Sequence, residues 1–168
     1  DGRCVTRGDR FEGKRVNSPN ALGIAADGAI YFTDPPYGLT KTFDDPGREI
    51  GWNGVYRLAP DGRVSVLVKD LRAPNGIGLA PDGGTLYVGQ SDPNRPVVMA
   101  YDLAKDGTVS NGRVFFDTTP LRKNESLRGR VEENLAAIQR SPKLVCSFFY
   151  ANSVAYTMYC LVPSNTSS

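Results

Sequence analysis

The chain of 168 residues contains no histidine, one tryptophan, two methionines and three cysteines. The absence of His excludes Ser-His-Asp hydrolysis, Cys-His pairs and every His-built zinc or iron site. Any metal would have to be held by oxygens, which favours a hard divalent cation such as Ca²⁺ or Mg²⁺. Cys4, Cys146 and Cys160 are sparse, odd in number and free of CxxC spacing, which favours three scattered thiols over a Cys146–Cys160 bridge. Charge of one sign is also lacking. Twenty basic against 18 acidic residues leave +2, too little to argue for nucleic acid or an anionic membrane as partner. No run approaches the roughly 20 apolar residues that cross a bilayer. There is no initiating Met and no basic-then-apolar leader, so the chain reads as a soluble piece of a longer protein, with the compartment open between cytoplasm and periplasm.

What the chain does contain is a phrase said twice. Asn20-Ala-Leu-Gly-Ile-Ala-Ala-Asp-Gly-Ala-Ile-Tyr31 is answered by Asn75-Gly-Ile-Gly-Leu-Ala-Pro-Asp-Gly-Gly-Thr-Leu-Tyr87. The offset is 55 for the Asn (20→75) and the Asp (27→82), and 56 for the Tyr (31→87), through one inserted Gly. A repeat of about 40–55 residues made of short strands and Asp-Gly turns points to β-propeller blades. Each copy opens on Pro-Asn, Pro19-Asn20 and Pro74-Asn75, which sets an amide oxygen at an equivalent point of each repeat.

Strand pairs flank each Asp-Gly. Leu22–Ala26 and Ala29–Asp34 surround Asp27-Gly28, and Gly54–Ala59 and Arg63–Leu71 surround Pro60-Asp61-Gly62. Ile77–Ala80 and Thr85–Gln90 surround Pro81-Asp82-Gly83-Gly84, and Val97–Leu103 and Thr108–Asp117 surround Lys105-Asp106-Gly107. Four antiparallel strands make one blade, so the pattern predicts two blades, about 20–72 and 75–117. The excursion Pro35–Asn53 is much longer than its counterpart Ser91–Pro96, and long loops at fixed points of a repeat tend to cover binding sites. From Thr118 the pattern stops. Leu121–Gln139 is charged and helix-permissive, with Val131, Leu135 and Ile138 at helical spacing, and the end is rich in Ser and Asn. Residues 118–168 are therefore expected to form a partly helical tail that does not continue the repeat.

Asn17-Ser-Pro-Asn20, Ile30-Tyr-Phe-Thr-Asp-Pro-Pro-Tyr-Gly-Leu39, Arg48-Glu49, Asn53-Gly-Val-Tyr-Arg57, Pro60-Asp-Gly62 and Pro74-Asn-Gly76 occur in order. This ordered set resembles the SMP-30/gluconolactonase (regucalcin-like) family, and Tyr31–Leu39 resembles its bacterial gluconolactonase branch. The resemblance implies an all-β fold, here two blades of a six-bladed propeller within residues 1–117. It also implies a divalent cation, usually Ca²⁺, and hydrolysis of sugar lactones. Asn75 matches the family's metal-binding Asn, and Asn20 its substrate-side Asn. The residue after Asn20 is usually Asp in the family and is Ala21 here. The family's Glu-Gly-Pro and later Pro-Asp-Gly ligand motifs have no counterpart at the expected places, so the metal site is expected to be incomplete and this chain weakly active or inactive by itself.

The remaining residues suit structural roles. Asp34 and Asp92, ending equivalent strands, are expected to cap turns, and Glu49 to anchor its loop by an ion pair. Tyr31, Phe32 and Tyr87 are expected in the inter-blade core. Trp52, Tyr37 and Phe43 suit either a lid or sugar-stacking wall or plain loop packing. Arg122, Lys123, Arg128 and Arg130 read as a solvated face. Two other functional readings stay open: a non-catalytic or degenerate propeller module that self-associates through bare blade edges, and a relative with metal-independent chemistry like that of strictosidine synthase.

Overall fold

The computed structural model describes residues 8–122. The three cysteines and the chain from residue 123 onward lie outside the described residues, as does most of the expected tail. The described elements are β1 (Arg10–Phe11), β2 (Lys14–Arg15), β3 (Leu22–Ile24), β4 (Ile30–Asp34), β5 (Gly54–Leu58), β6 (Val64–Val68), β7 (Pro74–Leu79), β8 (Thr85–Gln90), β9 (Val97–Leu103), β10 (Val109–Asp117) and a single helical turn, α1 (Thr119–Arg122).

Four copies of one turn build the hairpins. In each, an Ala carbonyl accepts from the Gly N–H three residues on: Gly28 to Ala25, Gly62 to Ala59, Gly83 to Ala80 and Gly107 to Ala104, all at 2.9 Å. The Asp before that Gly caps the turn, accepting from the N–H of Ala29, Arg63, Gly84 or Thr108 at 2.9–3.0 Å. The Gly takes φ of +72° to +89°, a left-handed setting that costs Gly nothing and closes a right-twisted hairpin.

Two four-stranded antiparallel sheets result, ordered β3-β4-β5-β6 and β7-β8-β9-β10. In the first, Leu22 faces Phe32 and Tyr31 faces Arg57. In the second, Ile77 faces Val88 and Tyr87 faces Ala100. The sheets pack where β3 and β4 meet β7. Strand alternation sends Tyr31, Val55 and Val68 of the first sheet into a shared core with Ile77, Leu86, Val88 and Met99 of the second. The opposite face of the first sheet carries Phe32, Tyr56 and Leu58, covered by Phe11, Val16 and Ile50. Of the three aromatics expected between the sheets, only Tyr31 lies there. Phe32 joins the outward cluster, and Tyr87 sits half-buried against Phe115, because alternation divides residues between two faces without saying which face meets the neighbour.

Candidate functional site

The hairpin order puts all four Asp-Gly turns at one end of the sheets. The other end collects the starts of β3, β5, β7 and β9, the ends of β4 and β8, and the connections between them. Asn20 and Asn75 both lie at this second end, one just ahead of β3 and the other at the second residue of β7.

Thr33, fully buried in β4, ties the two together. The Asn20 N–H donates to the Thr33 carbonyl at 2.9 Å. The Thr33 hydroxyl accepts from Ala21 N–H at 3.2 Å and donates to the Asn75 carbonyl at 2.7 Å. The side chain of Asn75, half-buried, donates from Nδ2 to the Ser91 hydroxyl at 2.9 Å. Its Oδ1 accepts nothing from the described residues. Asn20 is exposed, and its amide is unbonded among the described residues. Ala21, at the place where the family resemblance leads one to expect Asp, is buried in the apolar core between the sheets.

A second network holds the segment that carries Asn20. The Asp34 carboxylate, wholly buried, accepts from the N–H of Asn17 at 2.8 Å and of Ser18 at 2.7 Å. Burial raises its pKa above the ordinary Asp value, opposed by those two donors and by the charge of Arg48. Arg48 in turn donates to the Phe43 carbonyl and to Asn53 Oδ1, each at 2.9 Å, and reaches Asn17 Oδ1 at 3.4 Å. Asp34 is thus a buried anchor for the backbone of Asn17 and Ser18 rather than the expected cap of its own turn. Its equivalent in the second sheet is Gln90, at the 56-residue offset that follows the inserted Gly, and Asp92 lies two residues beyond the end of β8. Gln90 accepts from Arg72 N–H at 2.9 Å, while Asp92 caps its own loop through Asn94 N–H at 3.0 Å and meets Arg72 Nη1 at 3.3 Å.

The long loop from 35 to 53 is packed rather than open. Lys69 Nζ lies 4.2 Å from the Trp52 ring centroid, and Arg72 lies 4.7 Å from that of Phe43. Trp52 Nε1 donates to the Tyr56 hydroxyl at 3.1 Å, and Tyr37 meets Phe43 edge to face. Cation–π contacts therefore occupy a face of both Trp52 and Phe43, which favours loop packing over a sugar-stacking wall. Glu49 is a loop anchor, but not through its neighbour Arg48. It accepts the Arg15 N–H at 2.7 Å and faces the guanidinium groups of Arg15 and Arg10 at 3.6 and 3.8 Å. The Arg15 N–H, ahead of the charges around it, holds its pKa below the ordinary Glu value.

For a cation this end offers one oriented neutral oxygen, Asn75 Oδ1. No group of three or more His, Cys, Asp or Glu side chains among the described residues could hold a metal. Ca²⁺ takes about six to eight oxygens, so the described donors fit as a contribution to a site and not as a whole one. Sequence reasoning missed Thr33 and Ser91. The signal was present: a threonine closing the aromatic-rich run Ile30-Tyr-Phe-Thr33, and a serine directly after β8. Among the described residues no helix is long and apolar enough to cross a membrane.

Comparison with known proteins gives a consistent set of relatives. A family model described as SMP-30/Gluconolactonase/LRE-like region matches residues 4–127. The chain is 48% identical over 99 residues to a gluconolactonase of Zymomonas mobilis, covering 59% of this chain and 28% of that protein. A lactonohydrolase of Aspergillus oryzae is 28% identical over 124 residues, covering 68% of this chain and 28% of the relative. The solved structure of a gluconolactonase from Xanthomonas campestris superposes with a TM-score of 0.55 at 40% identity, covering 64% of this chain and 36% of that one. The chain thus spans between a quarter and two-fifths of the length of these relatives.

Proposed function

Because the chain belongs to the SMP-30/gluconolactonase/LRE-like family, we propose that it is part of a six-bladed propeller that hydrolyses a sugar lactone with the help of a divalent cation, Ca²⁺ first among the candidates. The observation that carries the reading is Asn75, whose amide N–H and backbone carbonyl are both engaged while Oδ1 accepts nothing among the described residues. An amide oxygen suits a hard cation because it ligates without adding charge. A cation bound there supplies Lewis acidity to the lactone carbonyl.

The residues of this chain bind and orient. Asn75 presents its oxygen toward the cation. Asn20, exposed at the same end, hydrogen-bonds hydroxyl groups of the lactone. Thr33 fixes the two backbones relative to one another, and Asp34 with Arg48 holds the 17–20 segment against the long loop. With a single ligand and no carboxylate cluster among the described residues, the chain by itself would hold the cation weakly and turn over little or no lactone. Ala21 in the apolar core and the absence of a carboxylate cluster among the described residues favour, as a second reading, a non-catalytic propeller module.

A chimera separates the two readings. Residues 8–122 replace the segment they match in the Xanthomonas campestris gluconolactonase, and hydrolysis of gluconolactone is followed with and without Ca²⁺. Cation-dependent hydrolysis that Asn75→Ala abolishes supports the enzyme reading. A folded chimera without hydrolysis supports the module.

A further inference from the structure

We infer that copies of this chain bind one another head to tail through the outward faces of their two sheets, three copies closing a ring; this rests on the reading of the chain as part of a six-bladed propeller. The second sheet repeats the first position by position. An offset of 55 carries Leu22 to Ile77 and Ile24 to Leu79, and one of 56 carries Tyr31 to Tyr87 and Phe32 to Val88. The strand registers extend the map. Phe32 pairs with Tyr56 as Val88 pairs with Met99, and Val55 pairs with Val68 as Val98 pairs with Phe116.

Inside one chain, the Tyr31, Val55 and Val68 face of the first sheet packs on the Ile77, Val88 and Met99 face of the second. The two faces turned away are the same pair in reverse: Leu22, Phe32 and Tyr56 on the first sheet, and Tyr87, Val98 and Phe116 on the second. A second copy that lays its first sheet on this chain's second sheet therefore repeats a junction the molecule already makes. The cover of Phe11, Val16 and Ile50 leaves room for it. Leu22 and Ile24 stay 50% and 64% exposed on β3, whose counterpart β7 makes the internal junction, and Phe115 and Phe116 are 62% and 47% exposed on the other face. The two faces differ, so the contact is heterologous, and such contacts close a ring where the rotation allows. The chain spans 36% of the Xanthomonas campestris gluconolactonase, which makes three copies the number that fills a ring of that size. This junction is weaker than the internal one. Gly89 stands in the place of Thr33 and Ala100 in that of Arg57, so neither the hydroxyl bond to the Asn75 carbonyl nor the approach of Arg57 to the Gly107 turn is repeated. Assembly therefore depends on concentration.

Sedimentation equilibrium of the full chain over a range of concentrations tests this. The expected wild type passes from monomer to trimer as concentration rises, with nothing larger. Ile24→Glu and Phe115→Glu each spoil one face at a site exposed in the single copy, and circular dichroism checks that both variants keep the wild-type fold. Each alone should weaken association about hundredfold or more, because the contact would bury an unpaired carboxylate. Mixed in equal amounts, the two variants should form a one-to-one dimer, since one intact face remains on each. A wild type that stays monomeric overturns the assembly and leaves the propeller reading standing, which the chimera tests separately. A trimer that survives both substitutions overturns the assignment of the faces. A wild-type dimer or open-ended growth overturns closure at three, and a mixture that stays monomeric overturns the head-to-tail arrangement.

Discussion

The two sheets share one turn, one strand order and one packing edge, yet they bury their outward faces differently. The first is covered by Phe11 and Val16 from the N-terminal segment and by Ile50 and Trp52 from the long loop. The second carries the edge-to-face pair Tyr87–Phe115, with ring centroids 5.0 Å apart, and among the described residues leaves Phe115 and Phe116 of β10 exposed. A pair of tyrosines repeats the contrast. Tyr56 and Tyr101 are both buried, but the Tyr56 hydroxyl accepts from Trp52 whereas the Tyr101 hydroxyl has no partner among the described residues. Repetition of the Asp-Gly hairpin builds the scaffold. The connections between hairpins decide what each copy covers and which polar groups it satisfies.

The largest expected difference lies in the outward faces. Tyr56→Ala should cost about 3–5 kcal/mol, as for other buried aromatic truncations, because it opens a void among Phe11, Phe32 and Trp52. Tyr87→Ala, on the half-buried face, should cost clearly less. Urea unfolding of both variants checks this, and equal losses would break the comparison.

Alkaline pH gives the next effect. Burial pushes Tyr56 and Tyr101 up to about 12 in the folded chain, against about 10 unfolded. A raised pKa means the folded state holds the proton longer, so this stability is fully present below about pH 10 and is lost as pH climbs toward 12, by roughly 1.4 kcal/mol per pH unit for each Tyr. Replacing either one by Phe should remove its share of that slope. At neutral pH the two replacements should differ: Tyr56→Phe loses the Trp52 bond, worth about 1 kcal/mol, while Tyr101→Phe loses no bond to the described residues. Chemical unfolding at pH 7 and across pH 9–12 measures both.

A smaller effect concerns the join. Thr33→Val keeps shape but leaves the Ala21 N–H and the Asn75 carbonyl short of their partner, at a cost of about 1–3 kcal/mol. The Asn20 and Asn75 backbone amide signals should both shift in the NMR spectrum. A shift confined to one of them would mean that the hydroxyl does not link the sheets.

The turns were legible because each is local: Asp caps, Gly supplies positive φ, and four residues contain the whole cause. The paired Asn residues were legible because the repeat marks them. What joins them was not, since Thr33 reaches Asn75 across 42 residues and Ser91 reaches it across 16, and neither spacing follows a strand period. The cover on the first sheet was hidden for a related reason. Phe11, Val16 and Ile50 stand singly in polar stretches, and only the folded chain shows that they meet. Equating Asp92 with Asp34 failed by two residues, since the 56-residue offset carries Asp34 to Gln90 and Asp92 stands in the loop beyond β8.

The central claim is that equivalent places in the two sheets hold Asn residues of unequal role. Calcium affinity of the chimera with Asn75→Ala and with Asn20→Ala, measured by calorimetry, tests it most directly. The account predicts that Asn75→Ala weakens binding by about tenfold or more, whereas Asn20→Ala leaves binding unchanged and raises KM for the lactone. Equal losses of affinity in the two variants, or none for Asn75→Ala, would contradict it.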